Sequence, residues 1–300
     1  MSLERHRLII TKIRRSPISF EELQDYMQIQ TEITGKQLTS SLRTFQRDID
    51  RIATLYDIEI QYNPTTGKYE IAYDGNEDYN ERLMEAYEIS NALDFSHSFS
   101  RHVIVEKRKP LGTENLHRLL HAIKNNYSVS FLYEKYTHND LRRRMVNPIA
   151  LKESQNRWYV LAEDHTDGRI KSFGLDRIDE LEITNRKFDP IEYDAEKEYR
   201  YTFGIISGVE MKPEKIILSF TPREGRYIHS LPLHHSQKEI LRNEDEWRFE
   251  YFILPTHDFI MEVLSYGADV KVLEPKSLQE QVAQKLKAAV ARYQGVTVEN

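Results

Sequence analysis

The sequence predicts a multidomain α+β chain: three helices and a hairpin, a helical connector, a small antiparallel sheet or barrel, and a mixed α/β C-terminal part. Three observations predict it. Residues 38–52 carry apolar side chains at alternating spacings of four and three, the stripe of a helix packed on a core. Residues 58–73 and much of 127–190 instead alternate apolar with polar, broken by turn signals, as antiparallel strands do. Residues 215–293 interleave the two patterns. A length of 300 residues also exceeds one ordinary core and suits two or three domains.

Along the chain, residues 3–14 read as a helix with Leu3, Ile9, Ile10 and Ile13 as its apolar contacts, interrupted at Ser16-Pro17. Ser19 with Glu22 three residues on is a capping box, and the helix behind it buries Leu23 and Met27. A polar stretch from Gln30 to Lys36 leads into the third helix, whose stripe is Leu38, Leu42, Phe45, Ile49 and Ile52. Ile58, Ile60 and Tyr62, then Tyr69, Ile71 and Tyr73, form a hairpin around the turn at Asn63 to Gly67. Three helices plus a hairpin predict a winged helix-turn-helix over residues 1–75. Residues 76–126 form the helical connector, with helices at 81–100 and 113–126. Short strands with turns at Asn139-Asp140 and Asp167-Gly168 fill 127–190, and residues 191–300 hold the C-terminal α/β part, with strands at 215–220, 238–243, 247–253 and 270–273 and helices from Asp258 and at 277–293.

The polar face of the third helix carries the candidate DNA-reading groups. Arg matches guanine O6/N7 or phosphate, and Gln matches adenine N6/N7. Arg43, Thr44, Gln46 and Arg47, with Ser40, lie near the start of that face, where a reading helix meets base edges. Arg51 sits a turn further on, as a phosphate contact would, and Lys68 of the hairpin turn reaches a flanking groove or backbone. Asp48 and Asp50 oppose phosphate; Asp48 pairs with an Arg in this reading. The net charge of −6 means that any such surface is a local arrangement and not a bulk field.

Other chemistries find little material. With no Cys, disulfides, thiolate zinc sites and a Cys nucleophile are excluded. No P-loop, Gly-x-Ser-x-Gly or dinucleotide fingerprint occurs, and no carboxylates pair as acid and base, so no catalytic residues and no cofactor are expected. His117 and His121 stand at i and i+4, but Leu119 and Leu120 fill the interval and a third ligand is lacking, so no metal is expected. No apolar run approaches about 18 residues, and the N-terminus lacks an apolar signal region; a cytoplasmic, non-membrane protein is expected.

Two runs carry a family resemblance. Ser41-Leu-Arg-Thr-Phe-Gln-Arg-Asp-Ile49 resembles the recognition helix of DeoR-type winged helices. Asn156-Arg-Trp-Tyr-Val-Leu-Ala-Glu-Asp164 and Arg169-Ile-Lys-Ser-Phe-Gly-Leu-Asp-Arg-Ile178 are similar to WYL domains, with Phe131-Leu-Tyr133 and Arg144-Met-Val-Asn-Pro148 upstream. Leu264-Ser-Tyr-Gly267 and Val270-Lys-Val-Leu-Glu-Pro275 resemble that family's C-terminal extension. The resemblance implies an Sm-like (SH3-like) β-barrel, a homodimer, and an effector that is a nucleotide or single-stranded nucleic acid. At the matching positions Arg144, Lys171 and Arg177 offer charge, and Tyr133, Trp158, Tyr159 and Phe173 offer rings for stacking. Strand alternation sends Trp158 and Tyr159 to opposite faces, so one of the two belongs to the core. Three departures stand out: Val160 replaces the motif Leu, Lys171 an Arg, and Gly174 a second Arg. The function implied is a ligand-responsive regulator bound to double-stranded DNA. A non-catalytic interaction scaffold is the alternative, with a nucleic-acid-processing enzyme behind it.

Overall fold

A computed structural model of the chain describes residues 2–75, 80, 82–86, 89, 111–135, 140–206 and 211–295. The chain divides into two compact units, residues 1–107 and 108–300. The helix expected at 81–100 lies largely outside the described residues, as does the turn at Asn139.

The first unit runs α1 (Ser2–Arg15), α2 (Phe20–Thr34), α3 (Leu42–Tyr56), β1 (Ile58–Asn63) and β2 (Lys68–Asp74). Helix α1 places Glu4 in its first turn and Lys12, Arg14 and Arg15 in its last, matching the helix dipole at both ends. It buries Leu8, Ile9, Ile10 and Ile13, while Leu3, expected inside, is exposed. The Ser19–Glu22 capping box starts α2. The helix then continues through Gln30–Thr34, where a polar stretch was expected. Gly35, at φ 68°, stops it in the left-handed conformation that glycine takes without steric cost. The Thr31 hydroxyl accepts from the Leu38 amide (3.1 Å), fixing the turn that follows.

The third helix begins later than its apolar pattern suggests. Ser41 caps α3, so Leu38 is a buried turn residue and Leu42, at 45% exposure, faces solvent. The buried side of α3 is Phe45, Asp48, Ile52 and Tyr56. Asp48 stands there because α1 neutralises it. Arg5 donates Nε and Nη2 to its two oxygens at 2.5 and 3.0 Å, and His6 Nε2 lies 3.3 Å away. Strands β1 and β2 pair antiparallel, and Ile18, between α1 and α2, exchanges both backbone hydrogen bonds with Tyr69. Asn80 and Met84 close this unit, Asn80 donating to the Tyr56 carbonyl and to Asp74.

Burial lowers the pKa of His6, against the opposing pull of Asp48. A histidine depressed in the folded state contributes stability that is present above its unfolded pKa of 6.5 and lost as the pH falls below it. Urea unfolding from pH 7.5 to 5.5 is therefore expected to show falling stability, with a shallower slope in His6→Gln; equal slopes refute the assignment.

The second unit opens with a 3-10 turn (Thr113–Asn115) and α4 (Leu116–Asn125). A five-stranded antiparallel sheet follows: β3 (Tyr127–Lys135), β4 (Asp140–Ser154), β5 (Arg157–Asp164), β6 (Arg169–Gly174) and β7 (Ile178–Lys187), in the order β6-β5-β4-β3-β7. In a flat sheet β3 and β6 would lie roughly 14 Å apart, three strand spacings. Instead the Phe131 and Phe173 rings meet at 5.4 Å and those of Tyr133 and Phe173 at 5.1 Å. The sheet is therefore strongly rolled.

It is nonetheless not the closed barrel that the resemblance implies. The end strands β6 and β7 make no ladder with each other. A single 3-10 turn, Leu175–Arg177, joins them with Leu175 buried between, and the Gly174 amide donates to the Tyr133 hydroxyl (3.2 Å). Gly112, at φ 71°, presses on that turn: a Cβ there would lie 2.1 Å from the Leu175 carbonyl oxygen.

After a short helix α5 (Ala195–Tyr199), the chain runs β8 (Glu214–Phe220), α6 (Pro222–Ser230), β9 (Lys238–Arg242), β10 (Trp247–Ile253), α7 (His257–Ser265), β11 (Val270–Glu274) and α8 (Lys276–Tyr293). The strand order β11-β8-β10-β9 with antiparallel neighbours is the split βαβ arrangement of ferredoxin-like folds. Trp247, Phe249, Tyr251 and Ile253 of β10 alternate onto one face, where Ile228, Phe259, Ile260, Val263, Leu278 and Val282 of the helices cover them. Helix α6 lacks an apolar stripe: Gly225 and Ile228 alone are buried on it.

Candidate functional site

Two constellations stand out, one in each unit. In the first, Ser41 Oγ accepts from the Thr44 amide and starts α3. Arg43, Gln46, Arg47, Asp50 and Arg51 then lie exposed along one side. Arg43, Gln46 and Arg47 have no hydrogen-bond or ion-pair partner among the described residues. The surrounding cations differ: Arg5 is held by Asp48, Arg14 by Asp74, Lys36 by Glu4 (3.1 Å) and Lys68 by Glu22 (3.6 Å). Lys68 is thus paired with α2. Ser40 is half-buried and ties α3 to α2 through its amide and Gln24 Oε1 (2.8 Å). Thr44 is half-buried beside the Ser41 hydroxyl (3.1 Å).

In the second unit, ladder register assigns the faces of the rolled sheet. Val129, Phe131 and Tyr133 on β3 stand opposite Val146, Arg144 and Arg142 on β4. Across β5 and β6, Ala162 stands opposite Lys171 and Val160 opposite Phe173. The inner face therefore has an apolar layer with a charged end. There Asp164, fully buried, accepts from Lys171 Nζ (2.9 Å) and Arg144 Nη1 (3.3 Å), and Lys171 also reaches Asp167 (2.8 Å). Burial on its own raises the Asp164 pKa, and the hydrogen bonds from Lys171 and Thr166 together outweigh it, holding the carboxyl at about 2. A depressed carboxyl contributes stability above its unfolded pKa, 3.8, that is lost only as the pH falls towards 2, so these pairs stay formed at neutral and mildly acid pH.

The seven candidate effector residues therefore separate. Arg144 and Lys171 converge on Asp164. Tyr133 and Phe173 are buried against Phe131, and the Arg177 guanidinium lies 5.0 Å from the Tyr133 ring centre. Trp158 is half-buried at the edge of that core, while Tyr159 faces the other side with Arg157, Arg177, Asp176 and Asp258 as its charged neighbours. Asp164 escaped the sequence reading, although alternation from Val160 through Ala162 puts it on the inner face, where a carboxylate requires cations.

Removing that carboxylate leaves Arg144 without its carboxylate and Lys171 with Asp167 alone. Asp164→Ala is expected to destabilise the second unit by about 3 kcal/mol in urea unfolding, with Asp164→Asn intermediate; a change below about 1 kcal/mol would mean that the cluster behaves as a surface pair.

Residues 114–183 match the WYL domain and residues 212–290 the WCX domain. No protein of curated function matches the sequence. Among solved structures, proteasome accessory factor B/C (PafBC) of Arthrobacter aurescens is 18% identical, with 99% of this chain and 48% of that one covered and a TM-score of 0.38. A CRISPR Cas-related protein is 15% identical, with 62% and 54% covered and a TM-score of 0.38. The chain spans about half the length of each of these proteins. No helix among the described residues is long and apolar enough to cross a membrane. By these two matches, the chain carries a WYL domain followed by a WCX domain.

Proposed function

We propose that the chain is a ligand-responsive transcription regulator whose first unit is a winged helix-turn-helix that reads double-stranded DNA. The observation that carries the reading is the outer side of α3. Arg43, Gln46 and Arg47 stand exposed and unpartnered there, while Arg5, Arg14, Lys36 and Lys68 of the same unit are bound by carboxylates. In this reading Arg43, Gln46 and Arg47 meet base edges, Arg51 meets a phosphate, and the β1–β2 turn forms the wing. Its homodimer would take half-sites about 10 bp, or a multiple, apart. In this reading the activity is cytoplasmic and has no catalytic step.

The effector is an anion, a nucleotide or a single-stranded nucleic acid, taken at the charged end of the rolled sheet. Arg144 and Lys171 already hold Asp164, so an incoming phosphate exchanges for a carboxylate and does not fill an empty cradle. For the exchange to regulate, the effector must favour one DNA-binding state over the other. The testing experiment is a titration of the protein against duplex DNA from its own upstream region and a scrambled control, at two salt concentrations, with and without a short single-stranded oligonucleotide. Preference for the upstream duplex that changes with the oligonucleotide supports both parts; absence of any duplex binding removes the central claim and leaves the scaffold reading.

A further inference from the structure

Lys152 lies outside the regulator reading. It stands on β4 directly opposite Tyr159 of β5, so both side chains leave the rolled sheet on the side away from the Asp164 cluster. There its Nζ lies 5.1 Å from the ring centre of Tyr199, the last residue of α5. The side chain is half-buried, and its hydrogen bond is a long one, 3.5 Å, to the Glu153 carbonyl. No carboxylate pairs with it among the described residues. The other half-buried lysines among those residues are each served. Lys68 has Glu22 (3.6 Å), Lys171 has Asp164 and Asp167, and Lys12, over the Tyr26 ring, has the C-terminal dipole of α1.

Burial without a counter-ion lowers the Lys152 pKa. The Tyr199 ring returns part of the attraction lost with water, but not that of a carboxylate. More of Lys152 is therefore free amine at neutral pH than of an exposed lysine, and the free amine is the nucleophile. The contact also has a particular place in the fold. Beyond Tyr199 the chain is bound to the ferredoxin-like part: the Arg200 carbonyl accepts from His234 Nε2 (3.1 Å), the Tyr201 carbonyl from the Leu254 amide (2.8 Å), and Asp258 from the Ile205 amide (2.9 Å). Lys152 thus holds the end of the connecting helix against the WYL strand.

We infer that Lys152 is an acylation site that takes the acetyl group of an acyl phosphate, and that the amide so formed releases α5 from β4. In the step, the ammonium loses one proton to water and the amine lone pair attacks the acetyl carbonyl carbon. The C–O bond to phosphate breaks, and phosphate leaves with the electron pair and takes up the second N–H proton. A neutral amide remains, with no charge for the Tyr199 ring to hold. An acetyl group suits the surroundings. Burial alone sets the Lys152 pKa, so among the described residues no cation stands by to receive the carboxylate of a succinyl group. The inference holds whether or not α3 reads duplex DNA.

The test incubates the full chain with acetyl phosphate over a range of pH and reads the acetylation rate of each lysine by peptide mass spectrometry. Lys238, Lys285 and Lys287, exposed in the same unit, serve as references. Lys152 is expected to react at least about threefold faster than these at neutral pH, from its larger share of free amine, and its rate to level off at a lower pH. In concentrated urea the preference should vanish. Tyr199→Ala, which opens the amine to water, should bring the rate down to the references, with circular dichroism establishing that the variant is folded. A Lys152 rate at or below the references in the folded chain overturns the inference. So does a preference that survives in urea, or a faster rate in folded Tyr199→Ala. Lys152→Gln, which carries a neutral amide as acetyl-lysine does, is expected to speed amide exchange at Glu198 and Thr202, whose hydrogen bonds close α5. Lys152→Arg should leave that exchange unchanged, and equal exchange in the two variants refutes the release.

Discussion

Arg43→Ala/Arg47→Ala is expected to bind its duplex operator about a hundredfold more weakly than the parent, at the same salt. Each base contact of this type discriminates by about 1–3 kcal/mol, so two together give a loss of that order. The folded state should hardly notice the change. Both side chains are exposed, neither has a partner among the described residues, and surface substitutions of this sort stay within about 0.5 kcal/mol. Arg51→Ala separates the two kinds of contact. As a phosphate contact it should weaken specific and scrambled duplexes alike and reduce the salt slope by about 1. Electrophoretic mobility shifts with both duplexes read all three quantities, and a double variant that binds as the parent does would remove α3 as the reading helix.

The second large effect is on stability. Asp48→Ala is expected to destabilise the first unit by about 3–5 kcal/mol, because it leaves the part-buried Arg5 and the buried His6 facing an apolar hole. Asp48→Asn, which keeps the volume and one acceptor, should cost less. A double-mutant cycle of Asp48→Ala with Arg5→Ala isolates the pair, and a coupling near zero would show that the buried geometry does not hold α3 to α1. The carboxylate lies on α3, the proposed reading helix, and its partner on α1. A partial loss of stability should therefore be accompanied by weaker DNA binding, even though Asp48 is buried and reaches no DNA.

That pairing also marks where sequence periodicity ran out. Leu38 and Leu42 continue the apolar spacing of Phe45, Ile49 and Ile52, yet the Ser41 cap breaks the register between them, and backbone capping is invisible to a count of apolar positions. Asp48 falls on the buried side, which a carboxylate enters only with a cation from elsewhere in the chain, here 43 positions away. The C-terminal strands were legible to within a residue or two because β10 alternates cleanly and β8 is a short apolar run. Helix α6 was not, since a glycine at its contact with Trp247 takes the place of the apolar residue that a pattern search needs. In the WYL part the inward and outward faces of β5 followed from alternation. The rolling that turns Tyr133 and Phe173 into core depends on contacts between strands that are not neighbours, and no local pattern encodes it.

The two hydrogen bonds between Ile18 and Tyr69 bear on how the hairpin behaves in time. They tie β2 to the segment between α1 and α2, so the hairpin cannot open without releasing the link between the first two helices. Amide exchange at Ile18 and Tyr69 should then track that of the helix core, as one cooperative unit, and not the faster opening of an isolated two-stranded ribbon. Among the described residues, a signal reaching this unit would have to shift the helices and the hairpin together as one block.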